Sequence, residues 1–183
     1  MSNFSETTVG STFDVNGSVV HLLHRAGQCT GETFNTRLAQ LDVTPRQFAV
    51  LVAVGGRDGA TQTSITEDTG IDRSTMVDVV RRLLKRGLLQ RRRSRLDARS
   101  YLVRLTAEGR ALLAAATPHA IETDALILSS LSAAEREVFL RALSTVVATQ
   151  NSARSARASA LQVTPKETGA PVSHHWDFAG VQP

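Results

Sequence analysis

The feature that most restricts the fold lies between residues 71 and 105, where a short helical pattern is followed by two strand-like runs. The helical pattern ends at Gly87, and glycine suits the left-handed conformation that follows a helix end. Residues 88–93 and 100–105 then predict two antiparallel strands joined by a turn at 94–99. This window holds eleven Lys and Arg and three Asp and Glu, an excess of +8, whereas the whole chain carries +4. The rest of the chain is therefore net −4, and the positive charge is concentrated in one surface element.

Helix signals also precede this window. Thr44-Pro45 predicts a helix start, because Thr is a good N-cap and Pro fits the first helical turn. Ser64 and Glu67 have the spacing of a capping box, which predicts a short polar helix that ends at Gly70. The helices on either side of Gly70 would then form a helix-turn-helix pair.

The second helix of this pair, opening at Asp72 or Ser74, and the two strands after it suit duplex DNA. An α-helix fits the major groove of B-DNA, and a basic β-ribbon fits the minor groove. Lys and Arg side chains on both elements would neutralise phosphates. The predicted fold is mainly α with a small β wing, that is, a winged helix-turn-helix lobe over residues 44–106.

Further helices are predicted on both sides of this lobe. Between residues 15 and 43, apolar residues recur at helical spacing on more than one side of the helix, which indicates packing against another subunit. Thr106 starts an Ala-rich helix in which Pro118 is expected to cause a kink or a break. Ser132 and Glu135 form another capping box and start the next helix.

The chain ends and the composition add further expectations. Residues 1–14 are expected to form a flexible arm and residues 151–183 a disordered tail. No stretch approaches the roughly 20 apolar residues that span a bilayer, and no signal-peptide pattern is present. We therefore expect a cytoplasmic protein without membrane contact. A single cysteine, Cys29, rules out an internal disulfide and fits a reducing compartment.

Five motifs, in their order and spacing, resemble the MarR family of winged helix-turn-helix regulators over residues 15–150. The motifs are Thr44-Pro-Arg-Gln-Phe48, Gly70-Ile-Asp-Arg-Ser-Thr-Met76, Arg82-Leu-Leu-Lys-Arg-Gly87, Asp97-Ala-Arg99 and Leu105-Thr-Ala-Glu-Gly109. The resemblance implies a homodimer with dimerisation helices at 15–43 and 107–150. Two-fold symmetry implies a pseudo-palindromic operator in double-stranded DNA. We therefore expect a transcriptional regulator, a repressor in our interpretation, rather than an enzyme.

The resemblance also assigns residues to the DNA. These are Arg73, Ser74, Thr75, Arg81, Arg82, Lys85, Arg93, Arg95, Asp97 and Arg99. The first three lie where the family reads base edges, and an arginine can bind guanine in bidentate fashion. The cations that follow are expected to contact phosphates. In the wing, the resemblance implies that Arg99 enters the minor groove and that Asp97 orients the wing.

Regulators of this kind usually respond to a small molecule, and here the resemblance points to aromatic carboxylates or their coenzyme A thioesters. No cofactor is expected. The candidate ligand residues are His21, His24, Arg25 and Phe48. An imidazole or guanidinium beside an apolar cleft can bind such an anion. These polar side chains could instead lie on the surface or between helices, and Phe48 could belong to the core.

Other interpretations remain open from the sequence alone. His21 and His24 have i, i+3 spacing, but a metal sensor needs more ligands than these two. Cys29 could make the protein redox-responsive, although a lone thiol in a helix usually packs as a small apolar residue. A structural DNA-binding protein without sequence preference is a further alternative. No phosphate-binding glycine loop or nucleophile elbow supports an enzyme.

Overall fold

The computed structural model describes residues 14–93 and 101–162, and these form helices with one two-stranded sheet. The chain divides into two compact units, one ending at Ser132 and the other beginning at Ala133. The elements are a short 3-10 turn Val15–Gly17, α1 Val19–Arg37, a 3-10 turn Ala39–Leu41, α2 Pro45–Gly55, α3 Gln62–Thr69, α4 Arg73–Lys85, β1 Leu89–Arg93, β2 Tyr101–Leu105, α5 Ala107–Ile127 and α6 Ala133–Gln162. The prediction of a mainly helical chain with a small β wing is confirmed.

The start of α2 is fixed by a reciprocal cap. Pro45 occupies the first turn as predicted, and the Thr44 hydroxyl accepts a hydrogen bond from the Gln47 backbone N–H at 3.3 Å. The Gln47 side chain returns the bond by accepting from the Thr44 backbone N–H at 3.0 Å. Two backbone donors at the helix start, the N–H groups of Thr44 and Gln47, are therefore satisfied, and Gln47 tolerates its burial because its side-chain oxygen is paired.

The predicted capping box of α3 is wrong. The N-cap is Thr61, whose hydroxyl accepts from the Ser64 backbone N–H at 3.0 Å, so Ser64 is already inside the helix. Ile65 is fully buried and sets which face of this short helix packs on the core. The helix ends at Gly70 as predicted, since that residue adopts φ +67°.

In the first unit, α4 packs one face against the hydrophobic core. Its inward stripe consists of Met76, Val79, Val80 and Leu83, which are all buried at the predicted i, i+3, i+4, i+7 spacing. Gly87 has φ +70°, and the two bonds that close the helix run from its N–H to the Leu84 carbonyl and from the Leu88 N–H to the Leu83 carbonyl. This is the Schellman arrangement, so the helix leads directly into β1.

Two predictions about the later helices need correction. The helix α5 runs through Pro118, so the expected break does not occur, and burial of Ala116, Ala120 and Thr123 around the proline stabilises the helix there. The helix α6 continues to Gln162, so the disordered tail predicted from residue 151 is wrong for 151–162. Residues 163–183 and the arm at 1–13 lie outside the described residues.

Candidate nucleic-acid interface and adjoining cleft

The outer face of α4 carries the predicted DNA-reading residues. Burying the apolar stripe leaves Arg73, Ser74, Arg81, Arg82 and Lys85 exposed on the helix. Thr75 is half-buried and sits nearer the core side. The helix is therefore amphipathic in charge as well as hydropathy, with an apolar inner face and a cationic outer face.

The N-terminus of α4 is closed by the carboxylate of Asp72. The Ser74 hydroxyl donates to Asp72 Oδ1 at 2.6 Å, and the Thr75 backbone N–H donates to the same oxygen at 2.9 Å. These bonds, that from the Ser74 hydroxyl first, hold the pKa of Asp72 well below its ordinary value. The Ser74 hydroxyl proton is directed at Asp72, so the hydroxyl oxygen is left to accept a hydrogen bond. It therefore suits an amino group on a base edge, which donates, better than a phosphate oxygen, which only accepts.

We expect Ser74→Ala to raise the pKa of Asp72 towards its ordinary value of 3.8, because the largest stabilising contact of the carboxylate is removed. A pKa depressed in the folded state stabilises the protein above pH 3.8, and this contribution is lost as the pH falls through the folded-state value. An NMR titration of the Asp72 carboxyl carbon measures the change. Ser74→Thr, which keeps the hydroxyl, is the control, and an unchanged titration in Ser74→Ala would contradict the assignment.

The cations in the last turns of α4 differ in their partners. Arg81 forms an ion pair with Asp78, with Nη2 and Oδ1 at 2.6 Å. Arg82 and Lys85 form no ion pair with any side chain in the described part of the chain. Their charges are therefore available to an external anion, and cations near a helix C-terminus also interact favourably with the helix dipole.

The root of the wing is fixed to the loop between α2 and α3. Strands β1 and β2 pair antiparallel from Leu89 opposite Leu105 to Arg93 opposite Tyr101. Ala60 adds a bridge to β2, because its N–H and carbonyl bond the Val103 carbonyl and N–H at 2.9 and 2.8 Å. The sequence analysis missed this third segment, since a single bridging residue has no periodic pattern to detect.

An arginine on β2 reinforces the same attachment. Arg104 Nη2 contacts Asp58 Oδ2 at 2.6 Å and donates to the Asp58 carbonyl at 2.9 Å. The base of the wing is thereby held to the loop between α2 and α3. Of the predicted wing residues, Arg93 is exposed at the end of β1, while Arg95, Asp97 and Arg99 lie outside the described residues.

A cleft of about 760 Å³ adjoins α4, the predicted recognition helix that carries the DNA-reading residues. Its walls come from α1, the start of α2, α4 and α5. The side chains that give it character are an aromatic ring at Phe34, two cations at Arg46 and Arg82, and two carboxylates at Asp78 and Asp124. A cleft of this size and mixed lining can hold a small planar anion.

The predicted ligand residues lie elsewhere in this single chain. His21 is half-buried, and His24 and Arg25 are exposed on α1; none of the three lines the cleft. Phe48 packs against the core with its ring centroid 5.6 Å from that of Phe34. Of this aromatic pair, Phe34 is the ring that lines the cleft. The ligand roles of the four predicted residues stay predictions.

Further observations bear on the alternative interpretations. Cys29 is a free, exposed thiol. Among residues 14–93 and 101–162, no group of three or more His, Cys, Asp or Glu side chains is placed to hold a metal ion. Within the same residues, no helix has the length and apolar character required to cross a membrane.

Comparison with known proteins decides the family. Residues 41–100 match the MarR family. The repressor NicR of Pseudomonas putida is 34% identical over 128 residues, which cover 70% of this chain and 81% of NicR. The chain belongs to the MarR family. It is therefore a DNA-binding transcriptional regulator, and its relatives are regulators rather than enzymes.

Two solved structures of MarR-family proteins resemble this one closely. BpsR of Bordetella bronchiseptica, whose DNA binding is regulated by 6-hydroxynicotinic acid, superposes with a TM-score of 0.70 at 30% identity, covering 74% of this chain and 96% of BpsR. The repressor CouR, solved on a 23-mer DNA duplex, superposes with a TM-score of 0.67 at 33% identity, covering 78% of this chain and 99% of CouR. The winged helix-turn-helix prediction is confirmed by both.

MarR-family proteins are dimers, and this chain exposes the apolar surface that a dimer interface needs. On α1, Val19 and Val20 are 67% and 79% exposed. On α6, Val138, Phe139 and Val147 are also exposed. Side chains of this size are rarely left in water in such numbers, so a second subunit is the natural cover.

Proposed function

We propose that this chain is a dimeric repressor that is released from a pseudo-palindromic operator by a small aromatic carboxylate or its coenzyme A thioester. The observation that carries the proposal is the position of the cleft. Four residues of α4 line it, so an occupant would touch the recognition helix itself rather than a distant part of the fold.

The chemistry of the lining supports an aromatic acid. Phe34 offers a ring face for an aromatic nucleus, and Pro45 and Val79 extend the apolar wall. Arg46, exposed at the start of α2, supplies a guanidinium that can bind a carboxylate in bidentate fashion. BpsR, which is regulated by 6-hydroxynicotinic acid, provides independent support from a relative.

The proposed mechanism is a shift between two conformations. The ligand-free dimer places two α4 helices at successive major grooves, with Arg73 and Ser74 at base edges and Lys85 at a phosphate. An occupant of the cleft favours a different position of α4 and lowers operator affinity. The coupling must be reciprocal, so operator DNA weakens effector binding by the same factor.

The domain organisation expected from the resemblance is part of this proposal. Residues 15–43 and 107–150 are assigned to dimerisation and 44–106 to the DNA-binding lobe. The three predicted wing residues beyond Arg93 retain their proposed DNA roles.

We expect tight binding to the DNA upstream of the protein's own gene, and release by at least one acid of a defined panel. Fluorescence anisotropy at fixed salt measures both, with benzoate, 4-hydroxycinnamate, 6-hydroxynicotinate and the coenzyme A thioesters of the first two. A shuffled duplex of equal length is the control for sequence preference, and the neutral carboxamides are the control for carboxylate recognition.

Equal affinity for this upstream DNA and the shuffled duplex would favour a structural DNA-binding role or an operator located elsewhere. Tight, selective binding that no acid releases would contradict the proposed effector. It would direct attention to oxidation of Cys29, which treatment with peroxide tests directly.

A further inference from the structure

The helix α4 borders two surfaces at once, and this has a consequence for how the proposed effector acts. Arg73, Ser74 and Lys85 lie on its exposed outer face, whereas Thr75, Asp78 and other residues line the cleft. Arg82 is the one α4 cation of the described chain that has both properties, because it is exposed and also lines the cleft.

The ion pair beside Arg82 leaves its guanidinium available. Asp78 lies one helical turn before Arg82, at i, i+4 spacing, where an Asp–Arg pair could form. Asp78 is instead paired with Arg81, with Nη2 and Oδ1 at 2.6 Å. Arg81 thus compensates the acid inside the cleft, while Arg82 has no ionic partner among the described side chains.

An arginine with no ionic partner on the border between a cleft and a DNA-facing surface can serve either anion. Carboxylate and phosphate both accept two parallel N–H bonds from one guanidinium, and one guanidinium fork can make this bidentate bond with only one of them at a time. The second cleft arginine, Arg46, differs because it belongs to α2, outside the recognition helix.

We propose that Arg82 is a contact shared by the two ligands, a DNA phosphate in the operator complex and the effector carboxylate in the released state. The effector thus removes a phosphate contact directly, in addition to any change in the position of α4. This inference rests on the proposed function and specifies its regulation at the level of one side chain.

The test uses three glutamine variants of the full-length dimer, at Arg82, Arg46 and Lys85. Effector affinity is measured without DNA by calorimetry, and operator affinity by anisotropy over a range of salt concentrations. The probe is 6-hydroxynicotinate, or the panel acid that releases the wild type most strongly, with its neutral carboxamide as a matched analogue. Thermal unfolding of each variant confirms that these exposed substitutions leave the fold intact.

We expect Arg82→Gln to weaken effector binding and operator binding by about tenfold each. It should also lower the salt slope of operator binding by about one for each subunit. Arg46→Gln should weaken effector binding far more than operator binding, and Lys85→Gln should do the reverse, because Lys85 is exposed on α4 and does not line the cleft. Arg82→Lys should keep the salt slope of the wild type, because a lysine still neutralises one phosphate. The carboxamide should be less sensitive to Arg82→Gln than the acid is.

Loss of only one of the two affinities in Arg82→Gln would overturn the shared contact while leaving effector regulation in place. The shared contact would also be overturned if the acid lowered operator affinity by the same factor in Arg82→Gln as in the wild type. If no acid binds or releases the wild type, the proposed function fails first, and the shared contact fails with it.

Discussion

Replacing Gly109 by alanine is expected to destabilise the protein by about 3 kcal/mol or more, although alanine normally favours a helix over glycine. Gly109 is buried in the first turn of α5, and a Cβ built on it would overlap the carbonyl oxygen of Leu88. That oxygen already accepts from the Thr106 backbone N–H at 3.1 Å and lies 3.2 Å from the Thr106 hydroxyl. The added methyl must therefore separate α5 from the chain that leaves α4.

Urea denaturation at a fixed protein concentration measures this effect, since a dimer's stability depends on concentration. Gly56→Ala is the matched control. Gly56 has φ −72°, and its new Cβ would come no closer than 3.8 Å to the Val52 carbonyl, which is ordinary contact. A Gly109→Ala protein as stable as the Gly56→Ala protein would show that α5 does not approach Leu88 so closely.

The same contact explains why the motif Leu105-Thr-Ala-Glu-Gly109 has its residues in this order. Thr106 caps α5 by accepting from the Gly109 N–H at 3.0 Å, and its hydroxyl donates to the Gly87 carbonyl at 2.7 Å. A sequence pattern could identify Thr106 as a cap because capping is local. It could not show that Gly109 faces a backbone carbonyl, because that contact joins segments about twenty residues apart.

Local signals were therefore reliable where one interaction dominated. The stripe of α4 and its glycine terminator were predicted correctly, because hydrophobic spacing and positive φ are encoded within a few residues. The prediction for the start of α3 is wrong, since Thr61 and Ser64 are both acceptable N-caps and the helix begins after the earlier of the two. The continuation of α6 past residue 150 follows from helix propensity, because its Ala- and Arg-rich sequence favours a helix even without a strong apolar stripe.

The cleft was beyond the reach of sequence patterns for a different reason. Its lining comes from four helices. Several lining residues, such as Arg46, Thr75 and Arg82, belong to the sequence motifs, but no sequence pattern indicates that they meet Phe34 and Asp124 in one cleft. The candidates on α1 were proposed from the family resemblance and from their chemistry, and in this single chain His24 and Arg25 lie on an exposed face. Which charged groups converge depends on how α1 and α5 pack against the DNA-binding lobe, and this is decided by tertiary contacts.

Truncation of Leu83 to alanine is expected to cost about 2–5 kcal/mol, a large part of the roughly 5–15 kcal/mol that stabilises a typical domain. Leu83 is fully buried on the inner face of α4, and its carbonyl closes the Schellman bond from the Leu88 N–H at 3.0 Å. A cavity at this point removes packing behind the recognition helix and beside the entry to β1, so operator affinity should fall together with stability.

Leu84→Ala is the matched control, because Leu84 is only partly buried on the same turn and should cost about 1 kcal/mol or less by the smaller apolar area involved. Urea denaturation gives both free energies, and anisotropy on the operator, at a temperature where each variant is folded, gives the affinities. Equal losses of stability in the two variants would contradict the placement of Leu83 in the core. A Leu83→Ala protein that is less stable but binds the operator as the wild type does would show instead that α4 keeps its position without this support, and that DNA contacts depend on its outer face alone.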